Sequence, residues 1–322
     1  AGLAWSQLQQ GQDITISALP LFHSYGMTSV MNMAVAGALT MVLIPDPRDI
    51  LHIMGSISKH QVTFYPAVPT MYVAINNHPQ VKEFDLTSIR ACLSGAAPLP
   101  AEVQVKFQDL TGCTLVEAYG LTETSPATHV NPLGRNRIGY IGLPWPDTDA
   151  RIVDVDTGEQ ELPTGEIGEL IIQGPQVMKG YWKQPTETAN VLREHPQLGP
   201  GLWLHTGDIA RMDEEGYFQI VDRKKDMIIC GGFNVYPRDV EEVLFKHPAV
   251  KEAAVIGSPD EYRGETVQAF VVLADDSSAT EEELIAFCRE HLASYKVPSN
   301  IEFRSDLPKS TVGKVLRREL AR

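Results

Sequence analysis

The sequence predicts an α/β fold: a partial N-terminal α/β layered domain with a small antiparallel β unit, followed by a smaller α+β C-terminal domain. Three observations predict it. Up to about Pro146, short apolar runs alternate with helical stretches, the pattern of parallel strands covered by helices. From Ala150 to Ile220 the texture changes to short strands punctuated by Gly and Pro. After Val221 a charged cluster, Asp222-Arg223-Lys224-Lys225-Asp226, precedes a stretch with its own helix and strand signals, the mark of a domain boundary with a hinge. The expected domains are 1–149, 150–221 and 222–322. A chain of 322 residues with 43% apolar content is too long for a single ordinary core.

In the first region strands are expected at Ile14–Leu19, Thr40–Ile44, Ile89–Leu93 and Leu115–Ala118, with a helix at Pro100–Thr111. Met27–Ile44 is uncharged for 18 residues, the length at which a membrane span has to be weighed. Thr28, Ser29, Asn32, Gly37 and Thr40 interrupt it, so a buried helix to about Ala36 is expected, followed by a core strand Leu39–Ile44 that Pro45 stops. The second region gives strands at Ala150–Val155, Glu169–Gln173 and Tyr217–Val221, with turns at Asp156-Thr157-Gly158 and Thr164-Gly165. In the third, Pro237 opens a helix near Asp239–Lys246, and Thr280 with Glu283 forms a capping box for Glu281–Leu292. Ala253–Gly257 and Gln268–Leu273 read as strands between them. There is no internal repeat, low-complexity segment or signal peptide in these residues.

A formal charge of −14, from 27 basic and 41 acidic residues, comes without a basic run that could track a phosphate backbone, so nucleic acid is not an expected partner. An anionic ligand must be held by local groups. Cys92, Cys113, Cys230 and Cys288 are far apart and lack C-x-x-C spacing, so neither a zinc site nor a disulfide framework is suggested, and a reducing cytoplasm fits. The negative charge leaves at most transient, hydrophobic contact with the inner face of a membrane.

Four short motifs carry chemistry. Tyr119-Gly120-Leu121-Thr122-Glu123 reads alone as a strand end, a glycine turn and a helix capped by Thr122, or as part of a ligand site. Ser94-Gly95-Ala96-Ala97-Pro98-Leu99-Pro100 precedes it, either a plain strand-to-helix loop or a place where small residues let a backbone approach a flat ligand. Trp203-Leu204-His205-Thr206-Gly207-Asp208 sets a carboxylate after a glycine turn, as a ribose acceptor would be, or as ordinary turn chemistry. Pro308-Lys309-Ser310-Thr311-Val312-Gly313-Lys314 is not a Walker A loop, because Pro308 stands where its first Gly should be and Val315 follows the Lys.

In this order the motifs resemble the adenylate-forming (ANL) superfamily of acyl-CoA synthetases, luciferases and peptide-synthetase adenylation domains. Ala18–His23, Gly174–Trp182, Leu204–Ala210, Val221–Ile229, Gly232–Pro237 and Ser294–Pro298 are most similar to bacterial long-chain fatty acid–CoA ligases, and the resemblance covers essentially the whole chain. It implies activation of a carboxylate with ATP to acyl-AMP and pyrophosphate, then acyl transfer to the thiol of coenzyme A. By the same resemblance Glu123 holds a Mg²⁺ ion, Thr122 bonds the α-phosphate, and Lys314 bridges carboxylate and phosphate. Tyr119 lies against the adenine, with Gly95, Ala96, Ala97 and Gly120 around it, and Asp208 and Arg223 take the ribose hydroxyls. His23 would line the acyl pocket, although beside Phe22 and Tyr25 it reads equally as a packed core histidine.

Lys225 would be a hinge about which the C-terminal domain moves, presenting the Gly231-Gly232 loop, otherwise a tight turn, to the pantetheine arm of CoA. Luciferase-like members have a lysine where this chain has Ile229, so no lysine is assigned to the thioester step. Family enzymes also carry a Ser/Thr/Gly-rich phosphate loop ending in Pro-Lys-Gly. No such segment occurs here, so the residues are expected to begin after it and to lack one α/β subdomain. Two readings of function follow: a fatty acid–CoA ligase, whose substrate could instead be a medium-chain or aryl carboxylate, or a non-catalytic adenylate-binding fragment. A homodimer is left open.

Overall fold

The computed structural model describes residues 2–275, 277–310 and 314–320. Its strands and helices group into two compact units. One comprises Ala1–Glu166, Leu170–Thr206 and Arg211–Gln219, the other Ile167–Glu169, Gly207–Ala210 and Ile220–Arg322.

After a short helix α1 (Gly2–Trp5), the first unit is built on a seven-stranded sheet. Its strands are β1 (Ile14–Ser17), β2 (Thr40–Leu43), β3 (Phe64–Ala67), β4 (Ala91–Ser94), β5 (Thr114–Gly120), β6 (Ala127–Val130) and β7 (Leu143–Pro144), in the order β2-β1-β3-β4-β5-β6-β7. The first five are parallel, and β6 and β7 are added antiparallel. Parallel neighbours need crossovers, which α4 (Ile50–His60), α5 (Pro69–Asn76) and α6 (Ala101–Thr111) supply. Asp49 caps α4 by accepting the His52 N–H at 2.9 Å, and Gln61 ends it in the left-handed region. Ile53, Met54 and Ile57 of α4 are fully buried, each contributing about 2 kcal/mol by leaving water. Tyr65, Tyr72 and Phe107 pack edge-on or tilted beside them, tying α5 and α6 to β3.

The stretch Met27–Ile44 departs from expectation. It is helical through α2 (Ser24–Gly26), a π-type segment (Met27–Asn32) and α3 (Met33–Ala36), but this helical run is buried along one face only, with Val35 77% exposed. The strand that follows is the sheet edge rather than a core strand, and its Leu43 is 59% exposed. Apolar composition reports a preference for burial; it does not report order in the sheet. Strand β3 and helices α4 and α5 were not anticipated. Pro66 argues against a central strand, yet β3 pairs with β1 only at Thr15 opposite Phe64, so no ladder there needs the missing N–H.

A second sheet holds β8 (Asp149–Val153), β9 (Gly168–Gln173), β10 (Leu192–Glu194), β11 (Leu202–Met212) and β12 (Phe218–Arg223), in the order β10-β11-β9-β8 with β12 on β11. A helix α7 (Pro185–Val191) precedes β10. The expected glycine turn at Gly207 is not a turn: β11 continues through it, with Gly207 at φ +69°. A positive φ marks glycine chemistry in turns and in irregular strand positions alike, and sequence alone does not separate them.

The second unit contains a third sheet, β14-β13-β16-β15 with β17 on β16. These are β13 (Ile228–Cys230), β14 (Phe233–Val235), β15 (Val250–Asp260), β16 (Gly264–Leu273) and β17 (Asn300–Phe303). Helices α8 (Pro237–Phe245) and α9 (Glu281–His291) cover it, burying Val240, Leu244, Leu284 and Cys288 with Val255 and Val271. The capping box forms as read: Thr280 Oγ1 accepts the Glu283 N–H at 3.2 Å and Glu283 accepts the Thr280 N–H at 2.8 Å.

Candidate functional site

In the first unit the parallel strands β4 and β5 are neighbours, with Ser94 opposite Glu117, so the segments leaving their carboxyl ends emerge side by side. Gly95–Ala97 follows β4, and Tyr119–Glu123 spans the last two residues of β5 and the turn after it. The carboxyl edge of a parallel sheet is where α/β proteins take ligands. Ala96 sits at φ +69°, and a Cβ at Gly95 would lie 3.2 Å from the Tyr25 ring, so the chain passes close over that ring. The Tyr25 hydroxyl donates to Leu93 O at 2.6 Å, pinning the end of β4 from below. His23 is partly exposed and acts as a cap rather than packed core: Nδ1 accepts the Tyr25 N–H at 3.2 Å, and burial holds its pKa below the ordinary value.

Gly120 is required sterically, since a Cβ there would lie 1.7 Å from Pro126 O. Tyr119 pairs across the ladder with His129, and their rings meet edge-on at 5.9 Å. A 3-10 turn, Thr122–Thr124, follows. It is tied by Thr124, whose Oγ1 accepts the Leu121 N–H at 2.9 Å, so Thr122 is not the cap and its side chain is exposed. Glu123 is held twice. Its carbonyl accepts the Met178 N–H at 2.8 Å, and its Oε1 accepts the Tyr181 hydroxyl at 2.8 Å. Burial and then the Glu123 carboxylate push the Tyr181 phenol up to about 12.

The second unit gathers another set. Asp208 is buried on β11, and Arg223 Nε lies 3.2 Å from its Oδ1. The backbone around Asp208 is fixed by Glu169, which accepts the Gly207 N–H at 3.1 Å and pairs with Lys224 at 3.2 Å, while the Lys224 N–H donates to Gly207 O at 2.9 Å. Lys314 joins this group. Burial, and then the charge of Arg223, pull its ammonium down to about 8 even though Asp208 and Asp226 oppose the shift. Lys314 N–H donates to Ser310 Oγ at 3.2 Å and its carbonyl accepts the Ser310 N–H at 2.8 Å. Thr311, Val312 and Gly313 of the same motif lie outside the described residues.

Lys225 is exposed in the turn between β12 and β13. Gly231 and Gly232, at φ +58° and +84°, make the two-residue connection from β13 to β14, the geometry that glycines favour in a tight hairpin. Sequence reasoning missed Arg317. Its guanidinium reaches Glu241 at 2.8 Å, Asp226 at 3.2 Å and Asp222 at 3.6 Å. Burial disfavours its charge, but Glu241 and Asp222 outweigh that and hold it above its ordinary range. No spacing rule could have found it, because its partners lie 76 or more residues away.

The Glu123 carboxylate, with one oxygen bonded to Tyr181, offers a hard oxygen donor suited to Mg²⁺. Among the described residues no group of three or more His, Cys, Asp or Glu could cage a metal. Such an ion would complete its shell with phosphate oxygens and water, the way Mg²⁺ is commonly held at nucleotides.

The family profile for AMP-binding enzymes matches residues 2–182, and that for the AMP-binding enzyme C-terminal domain matches 239–314. The chain belongs to the AMP-binding enzyme family. A family relative, the long-chain-fatty-acid–CoA ligase of Bacillus subtilis (strain 168), is 52% identical over 98% of this chain and 55% of its own length. The chain thus spans a little over half of that relative. Two solved family structures superpose on 99% of the chain and 61% of their own. ATP-bound MatB from Rhodopseudomonas palustris gives a TM-score of 0.90 at 34% identity, and the anthranilate CoA ligase AuaEII with anthranoyl-AMP gives 0.91 at 31%. The α/β architecture is that of adenylate-forming enzymes, and an AMP-binding region is part of it. No helix among the described residues is long and apolar enough to cross a membrane.

Proposed function

We propose that this chain supplies the nucleotide- and acyl-handling portion of an ATP-dependent fatty acid–CoA ligase. The observation that carries the reading is the grouping of Asp208, Arg223 and a charge-crowded Lys314 within one unit. A carboxylate repels nucleophiles and lacks a leaving group, so it first displaces pyrophosphate from ATP to give acyl-AMP. The CoA thiol then displaces AMP and gives up its proton.

In this reading Asp208 and Arg223 take the ribose hydroxyls, and the Arg223 guanidinium also holds the Asp208 carboxylate in place. Tyr119 stacks on the adenine, and the Gly95–Ala97 and Gly120 backbone leaves room for it. Thr122 presents its exposed hydroxyl to the α-phosphate, and Lys314 offsets the charge that builds as carboxylate oxygen meets phosphorus. A Mg²⁺ ion held by Glu123 would draw charge from the phosphate oxygens. His23 lines the acyl site, Lys225 acts as hinge, and the Gly231-Gly232 turn gives CoA's pantetheine arm a surface without side chains. A fatty acyl substrate is supported by the name of the Bacillus relative and by the Gly174–Trp182 and Val221–Ile229 segments. The reaction belongs in the cytoplasm, with peripheral membrane contact where the fatty acid is drawn.

The test is ATP–pyrophosphate exchange with a long-chain fatty acid. Lys314→Ala is expected to slow exchange by ~10²-fold, about 3 kcal/mol, while leaving ATP binding intact. An unchanged rate in Lys314→Ala would overturn the proposal.

A further inference from the structure

The segment Gly174–Trp182 has no chemical role in the reading above, yet it docks on the adenylate motif at two points. The Met178 N–H bonds the Glu123 carbonyl at 2.8 Å and the Tyr181 hydroxyl bonds Glu123 Oε1 at 2.8 Å. All three residues belong to the first unit. The chain around Tyr181 is built to hold it there. Its N–H donates to Thr188 Oγ1 at 2.9 Å, and that hydroxyl donates to Gln184 O at 2.8 Å at the start of α7. Gly180 sits at φ +142°, where a Cβ would come within 2.7 Å of Thr188 Cγ2, so the turn that delivers Tyr181 tolerates no side chain before it.

A free glutamate carboxylate rotates about its last bond and offers either oxygen in any direction. One with Oε1 fixed by a phenol offers Oε2 in a single direction, and orienting a ligating carboxylate through its other oxygen raises metal affinity. We infer that Tyr181 is a positioning residue: it orients the Glu123 carboxylate so that Oε2 is presented to the Mg²⁺ of the Mg–ATP complex. This rests on the proposed function, which makes Glu123 the metal-holding side chain. Tyr181 itself does not touch metal or substrate.

The test compares Tyr181→Phe, Glu123→Gln and the unmutated protein. Mn²⁺ binding in the presence of a non-hydrolysable ATP analogue is followed by electron paramagnetic resonance, alongside binding of a metal-free acyl-AMP analogue. Tyr181→Phe removes one hydrogen bond to a charged group and is expected to weaken Mn²⁺ binding about tenfold. The acyl-AMP analogue should bind unchanged, and excess Mg²⁺ should restore the exchange rate, which a loosened fold would not allow. Unchanged Mn²⁺ affinity in Tyr181→Phe, with affinity lost in Glu123→Gln, would overturn the inference and leave the proposed function standing. Loss of analogue binding in Tyr181→Phe would also overturn it, by showing a structural role. Failure of the unmutated protein to bind Mn²⁺ with the ATP analogue would bring down the functional reading and this inference with it.

Discussion

Lys314 combines two demands that pull against each other. In the proposed function it must carry positive charge beside a phosphate, yet it is half-buried and crowded by Arg223, which brings its pKa to about 8 from 10.5. The charge is therefore lost as pH rises through about 8 rather than through the ordinary lysine range, and in the proposed reaction the stabilisation of adenylation is lost with it. Exchange activity is expected to fall on the alkaline side with a midpoint near 8, and Lys314→Arg should remove that limb because a guanidinium stays charged. A profile that stays level to about pH 10 in the unmutated protein would count against Lys314 acting as a cation. The choice of Lys314 as the candidate lysine came from its sequence motif. Its depressed pKa was not legible there, because it depends on Arg223 and on burial, neither of which is a local property.

Among the elements, the final 3-10 turn (Arg317–Glu319) shows how the tail bearing Lys314 is held. Arg317 reaches three carboxylates, Asp222 on β12, Asp226 in the turn after it and Glu241 on α8, while Leu307 and Leu320 pack on Ala254, Ile256 and Phe270 of β15 and β16. Arg317→Met would leave the buried Asp222 without its nearest cation, at a cost of about 3 kcal/mol. Amide hydrogen exchange along α8 should then speed up by ~10²-fold. Rates unchanged within a factor of two would show that the cluster does not hold the tail. Capping and periodicity made α6, α8 and α9 readable in advance, since each helix end is written in adjacent residues. The edge position of β2 and the course of β11 through Gly207 were not readable, because strand order is settled by partners far along the chain.

At the scale of the whole molecule, the two main cores share no residue: one runs from Ile16 to Leu115, the other from Ile228 to Ile301. Each has its own sheet and covering helices, so each can lose its packing as a separate cooperative event. Scanning calorimetry should give a van't Hoff enthalpy below the calorimetric one; a ratio of one would mean a single cooperative block. What the sequence by itself determined is the α/β class, the order of the family motifs and the helix ends, because these follow from local propensity, capping and side-chain chemistry. Only the tertiary structure decided that the Glu123 carboxylate meets Tyr181, how crowded Lys314 is, and which carboxylates Arg317 joins. Those contacts join residues 58 or more positions apart, and such pairings are fixed by how sheets and loops close in space rather than by any period along the chain.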